Sequence, residues 1–232
     1  MNIVVISEGR TELSKSYLNR DFLSPIPSEE LGSLETIIAR IATDVLKTTL
    51  TIMGLPRLPL TSPGHTRRAS LTQVIQNPDL LKQMLLPCFN PIIPNLADNA
   101  AEGAIVVCDL EIHDTVAASI SQVRQSINKK IIQITFKPEF EVLLLERGAI
   151  EQAANLSSGS VILPNSNDIG QCGGLKEAFV QCVIKAGYNN RPHAASADFK
   201  LKVAKCLSTR YLTCDNPPIL ELRQNISQLF TK

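Results

Sequence analysis

The sequence predicts an α/β fold: a parallel sheet of about four strands flanked by helices, followed by a helical C-terminal region. Three observations carry this. Short apolar runs at Ile3–Ile6 and Ala104–Cys108 lack polar alternation, as strands covered on both faces do, and Ile131–Phe136 is a further strand-like run. Helical periodicity separates them, clearest where Leu34, Ile37, Ile38, Ile41, Ala42 and Val45 share one face. The order strand, helix, strand, helix over the first 136 residues calls for right-handed crossovers.

Taken in order, the first strand stops at Ser7-Glu8-Gly9, and Thr11 opens a weakly amphipathic helix that runs to Leu23 and ends before Pro25 and Pro27. Ser33–Leu46 is the crossover helix, and the β-branched run Thr48–Met53 is the second strand. Residues 54–102 form an insertion: a Pro- and Gly-rich loop to Arg68, a helix over Leu71–Leu86 and a Pro-broken stretch after Cys88. The third strand, Ala104–Cys108, leads into a helix over Val116–Ile127, and Ile131–Phe136 is the fourth. With the strands in the spatial order 2-1-3-4, residues 1–156 make the core. Residues 157–232 make a helical layer packed on it, with helices at Leu175–Ala186, Phe199–Leu207 and Ile219–Phe230. Helical patterns at Phe140–Leu145 and Ile150–Leu156 close the core, and punctuation at 157–174, 187–192 and 215–218 separates the later helices.

At 232 residues, 44% hydrophobic and 19% charged, the chain has the balance of an ordinary globular protein. Its net charge of +1 announces no polyanion partner, so any nucleic-acid contact has to come from a local patch. Aromatic residues at 4%, with no Trp, argue against a platform for stacking bases. The six cysteines include no C-x-x-C pair, which excludes the common zinc patterns. No secretion signal precedes the first strand and no apolar run approaches the roughly 20 residues of a membrane span, so the expectation is a soluble cytoplasmic protein with reduced thiols.

The candidate chemistry sits where buried strands end. Glu8 follows the first strand; Asp109 and Glu111 follow the third. In open α/β sheets ligands bind beyond the carboxyl ends of the strands, at the switch in strand order. Neighbouring strands lie about 4.8 Å apart, so the terminal carboxylates can meet on one hard cation. Mg²⁺, or Mn²⁺ in its place, suits such a site, because it takes oxygen ligands and needs only one or two carboxylates besides waters and substrate phosphate. Each motif also has a structural reading. Gly9 can supply a turn that Thr11 and Glu12 cap, and Asp109 with Glu111, or Glu139 with Glu141, can be acids answering a helix dipole.

Ser7-Glu8-Gly9-Arg10-Thr11-Glu12 resembles the glutamate motif of TOPRIM-like families, in which E-G-x-T-E recurs. Glu139-Phe140-Glu141 and the apolar residues after it resemble the second signature of those families. The likeness covers roughly the first 156 residues, with Asp109-Leu110-Glu111 in place of Asp-x-Asp and with the 54–102 insertion as departures. The resemblance implies a TOPRIM-like, Rossmann-like sheet and Mg²⁺-dependent hydrolysis of phosphodiesters in DNA or RNA. It implies Glu8 as general base or metal ligand and Asp109 and Glu111 as ligands. It also implies an effector of bacterial antiviral defence working beside an ABC-type or AAA ATPase, with a homo-oligomer left open as a further partner. The alternative is a non-catalytic regulatory or interaction subunit whose Asp-x-Glu motif no longer holds metal productively.

Two basic residues are candidates for substrate phosphate. Arg10 adjoins Glu8, and Lys200 belongs to a group with Lys202, Lys205 and Arg191; for each the plain reading is a solvated surface charge. His113-Asp114 has no second pair to complete a metal site, and Cys108 reads as core. No P-loop, dinucleotide-binding or nucleophile-elbow motif occurs.

Overall fold

The computed structural model describes residues 1–8, 13–14, 23–55, 69–90, 100–137 and 139–231. Arg10, Gly9, Thr11 and Glu12 lie outside the described residues, as do most of the helix expected from Thr11 and of the loop after Gly54.

Along the chain, β1 (Asn2–Ser7) and a two-residue β2 (Ser24–Pro25) precede α1 (Ser33–Arg40), which a π-helical turn (Ile41–Val45) extends. Next come β3 (Thr51–Gly54), α2 (Leu71–Gln76), α3 (Pro78–Phe89) and β4 (Gly103–Asp109). A 3₁₀ turn (Leu110–Ile112) opens α4 (His113–Ser126), and β5 (Lys130–Phe136) runs into a second 3₁₀ turn (Phe140–Leu144). The rest is helical: α5 (Arg147–Ala154), α6 (Ser166–Cys172), α7 (Leu175–Lys185), α8 (Arg191–Ala194), α9 (Ala197–Cys206), α10 (Thr209–Leu212) and α11 (Pro217–Gln228).

The sheet order is β2-β3-β1-β4-β5, parallel except for the edge pairing of β2 with β3. Its four parallel strands therefore stand in the expected 2-1-3-4 order, with one short antiparallel strand added. Ile3 through Ile6 and Ala104 through Cys108 are all buried, which accounts for their unbroken apolar runs. The crossover from β1 to β3 and that from β4 to β5 move in opposite directions across the sheet, so right-handed connections put α1 and α4 on opposite faces. α2 and α3 pack with α4, while α1 packs on α9 and α9 on α5. Arg40 fastens α1 to α9 by donating Nη1 to the carbonyls of Ala204 and Lys205 at 3.1 and 3.2 Å.

Several helices differ from the sequence reading, each for a local reason. The expected Leu71–Leu86 helix is two, because Pro78 has no N–H to continue α2 and forces Asn77 into an extended conformation. Asn77 then caps α3, its Oδ1 accepting from the N–H groups of Asp79 and Leu80. The crossover helix widens after Arg40, where the Leu46 N–H reaches back five residues to the Ile41 carbonyl. Phe140–Leu144 is a 3₁₀ turn rather than an α-helix. α6 sits inside the stretch read as punctuation; it buries none of its residues and so leaves no apolar periodicity to detect.

The C-terminal helices share an aromatic core in which Phe199, fully buried, lies 5.4 Å from the Tyr188 ring and 6.2 Å from that of Phe179, centroid to centroid. Replacing Phe199 by Ala is expected to cost about 3–5 kcal/mol of stability. Urea unfolding checks this: a loss below about 1 kcal/mol would mean that α9 does not pack on this core.

Candidate functional site

β1 and β4 pair in register from Ile3 with Gly103 to Ser7 with Val107, and the Glu8 N–H extends the ladder by one bond to the Val107 carbonyl at 3.4 Å. β4 ends at Asp109, level with Phe136 of β5. The carboxyl ends of three adjacent strands thus open on one cleft of about 160 Å³, lined by Glu8, Asp109, Glu139, Glu141 and Lys176 among others. Sequence position alone left Glu139 and Glu141 open between site and helix start; the structure places both beside Glu8 and Asp109.

The four carboxylates are held differently. Glu139 precedes the second 3₁₀ turn but does not cap it with its side chain. Its Oε2 accepts the Lys176 N–H, 2.7 Å away, in the first turn of α7, where the helix dipole favours an anion. Gly174, just before α7, has a φ of +147°, a conformation that side-chain-bearing residues rarely adopt, so the turn that presents the Lys176 N–H to Glu139 favours glycine. Glu141 is paired with Lys200, Nζ to Oε1 2.5 Å, with both side chains almost wholly buried.

Among the described residues, no backbone N–H or cation serves the side chains of Glu8 and Asp109 in this way. Glu8 Oε2 is buried without a hydrogen-bond partner, and the Asp109 side chain caps nothing. Burial first, then the Glu8 carboxylate beside it, then Glu139 and Glu141 push the Asp109 carboxyl up to about 7.

The remaining candidates lie elsewhere. Glu111 is exposed on the 3₁₀ turn and does not line the cleft. Lys200 lies behind Glu141 rather than on a basic surface; Lys202 and Lys205 are exposed, and Arg191 is exposed and paired with Glu177. His113 is engaged with β5, its Nδ1 lying 2.7 Å from Thr135 Oγ1 and 3.1 Å from Gln133 Nε2. Cys108 belongs to the same network, accepting from Gln133 Nε2 at 3.4 Å, and burial raises its thiol. Sequence reasoning passed over Lys176 and Gly174. The one local signal is the Gly173-Gly174 pair ahead of a helical run, and nothing in it points to Glu139.

Among the described residues, no three His, Cys, Asp or Glu side chains converge closely enough to hold a metal ion as they stand. The donor chemistry of Glu8 and Asp109 nevertheless fits a hard divalent cation: both offer only oxygen, one oxygen is orphaned, and Mg²⁺ needs no more than two carboxylates from the protein. Comparison with family models, with curated proteins and with solved structures finds no match to this chain. Among the described residues, no helix is long and apolar enough to cross a membrane.

The raised Asp109 carboxyl makes stability depend on pH in a definite direction. Without metal, the folded protein keeps this proton up to about pH 7, whereas the unfolded chain releases it near pH 4. The folded state therefore binds more protons across that window, and its stability falls as pH rises through it. Melting temperatures in EDTA between pH 5 and 8 should fall more steeply for the wild type than for Asp109→Asn. Parallel profiles would contradict the assignment.

Proposed function

We propose that this chain is a Mg²⁺- or Mn²⁺-dependent nuclease with a TOPRIM-like core, hydrolysing phosphodiester bonds of DNA or RNA at Glu8 and Asp109. The observation that carries the reading is the placement of these two carboxylates side by side at the ends of β1 and β4, with no cation joined to them among the described residues and one buried orphan oxygen. A divalent cation relieves their repulsion. Asp109 and Glu8 are its proposed ligands; Glu111 stands outside the cleft and is left out of the set. When bound, such a cation polarises a phosphoryl oxygen and makes water nucleophilic near neutral pH. The chain supplies the rest. The exposed Lys176 at the rim offers a cation to an incoming phosphate.

The E-G-x-T-E and E-F-E motifs, with their resemblance to TOPRIM-like families, support placing the protein in bacterial antiviral defence beside an ABC-type or AAA ATPase that supplies nucleotide sensing. A second reading, a non-catalytic subunit of such a complex, is favoured by the exposed position of Glu111, which leaves the Asp-x-Glu motif with one residue in the cleft instead of two.

Incubation with mixed DNA and RNA in Mg²⁺, Mn²⁺ or EDTA separates the two. Cleavage that requires metal and falls at least 100-fold in Glu8→Ala, roughly the scale of losing a catalytic group, supports the nuclease. Metal-dependent cleavage unchanged in Glu8→Ala removes Glu8 from the mechanism. No cleavage under any condition favours the non-catalytic subunit.

A further inference from the structure

Two of the four carboxylates in the cleft already have partners, and both partners come from the C-terminal helices. Lys200 on α9 reaches Glu141, and the first turn of α7, an eleven-residue helix, receives Glu139. Among the described residues neither Glu8 nor Asp109 is joined to a cation, and Glu8 Oε2 is buried with no partner. A buried ion pair such as Lys200–Glu141 adds little net stability, since apolar residues of similar volume often serve as well or better. Its position at the back wall of an acidic cleft gives it an electrostatic consequence that an apolar pair lacks the means to adjust.

We propose that the C-terminal helices are the built-in counter-charge of the cleft: Lys200 offsets Glu141 and the N-terminus of α7 offsets Glu139, leaving Glu8 and Asp109 to take one divalent cation and no second. Lys200 is then a positioning residue, acting through Glu141 and touching no substrate. The charges are consistent with this. Four uncompensated carboxylates would call for two divalent ions, as in two-metal sites, whereas two carboxylates are neutralised by one. The inference rests on the reading of Glu8 and Asp109 as the cation site and adds the stoichiometry and the origin of the local charge.

Calorimetric titration of the full chain with Mn²⁺, alongside melting temperatures, tests it without recourse to activity. One Mn²⁺ per chain, lost in Glu8→Ala, is expected. Glu141→Gln leaves Lys200 positive and uncompensated, and Mn²⁺ affinity should drop by about tenfold or more. The neutral double variant Lys200→Met/Glu141→Leu should return it to within about threefold of wild type, because the sum of the pair's charges is again zero. This double variant avoids the unpaired buried carboxylate that Lys200→Met alone would create, which can prevent folding. Two ions per chain in the wild type, or an affinity that ignores the charge of the pair and follows melting temperature instead, overturns the counter-charge role while leaving the cation site standing. Absence of Mn²⁺ binding by the wild type overturns the cation reading of Glu8 and Asp109, and the counter-charge role with it.

Discussion

The parallel pairing of β1 with β4 is the constraint on which the rest of the molecule depends. Five residues of each strand align from Ile3 with Gly103 to Ser7 with Val107, so both strands reach the same end of the sheet together. A shift of one residue would turn every side chain to the opposite face and carry Glu8 away from Asp109. Gly103 is part of what fixes the start of the register. A Cβ there would stand 3.2 Å from the Leu229 side chain, the Lys130 carbonyl and the Met1 side chain, closer than neighbours normally approach. The bottom of the sheet is thus packed tightly against the end of α11, and the register set there delivers two carboxylates to the cleft at the top.

The buried acids of this chain show how differently the same group can be accommodated. Glu35, fully buried, accepts the N–H groups of Gly32 and Ser14 on one oxygen at 2.7 and 2.8 Å, and so ties residue 14 to the start of α1. Burial raises its carboxyl, and those two bonds oppose the rise. Glu151 accepts the Val161 N–H at 3.0 Å, and Glu141 has Lys200. Each pays for desolvation locally with a dipole or a charge. Glu35 still leaves its Oε1 buried without a partner, as Glu8 leaves its Oε2; what separates Glu8 and Asp109 is that, among the described residues, they face each other at the end of the sheet with no backbone N–H or cation on either side chain.

The sheet was legible because both of its faces are covered: continuous apolar runs identify β1 and β4, β-branched residues identify β5, and crossover handedness then leaves few strand orders to choose from. Glu8 and Asp109 followed from the same reasoning, since strand ends are where such folds bind ligands. What the sequence concealed came from tertiary placement. Lys200 read as a surface charge in the company of Lys202 and Lys205, yet α9 buries Phe199, Lys200, Val203 and Ala204 on one face, so that one lysine of the three points inward. The contacts of Glu139 and Glu141 depend on helices that begin more than thirty residues later, beyond the reach of any local pattern. α8 and α10, four residues each, are too short to show a periodicity.

The Lys200–Glu141 pair spans 59 positions of sequence, which gives the molecule an order of completion. Chains are made from the N-terminus, and a nascent chain that has emerged only through residue 156 contains every strand of the sheet but neither Lys200 nor α7. Its cleft would hold four mutually repelling acids, and the turn carrying Glu139 and Glu141 would have nothing to dock against. The mature arrangement therefore waits for the last third of the polypeptide, so a truncated or half-translated product would carry the acidic residues without the geometry that organises them.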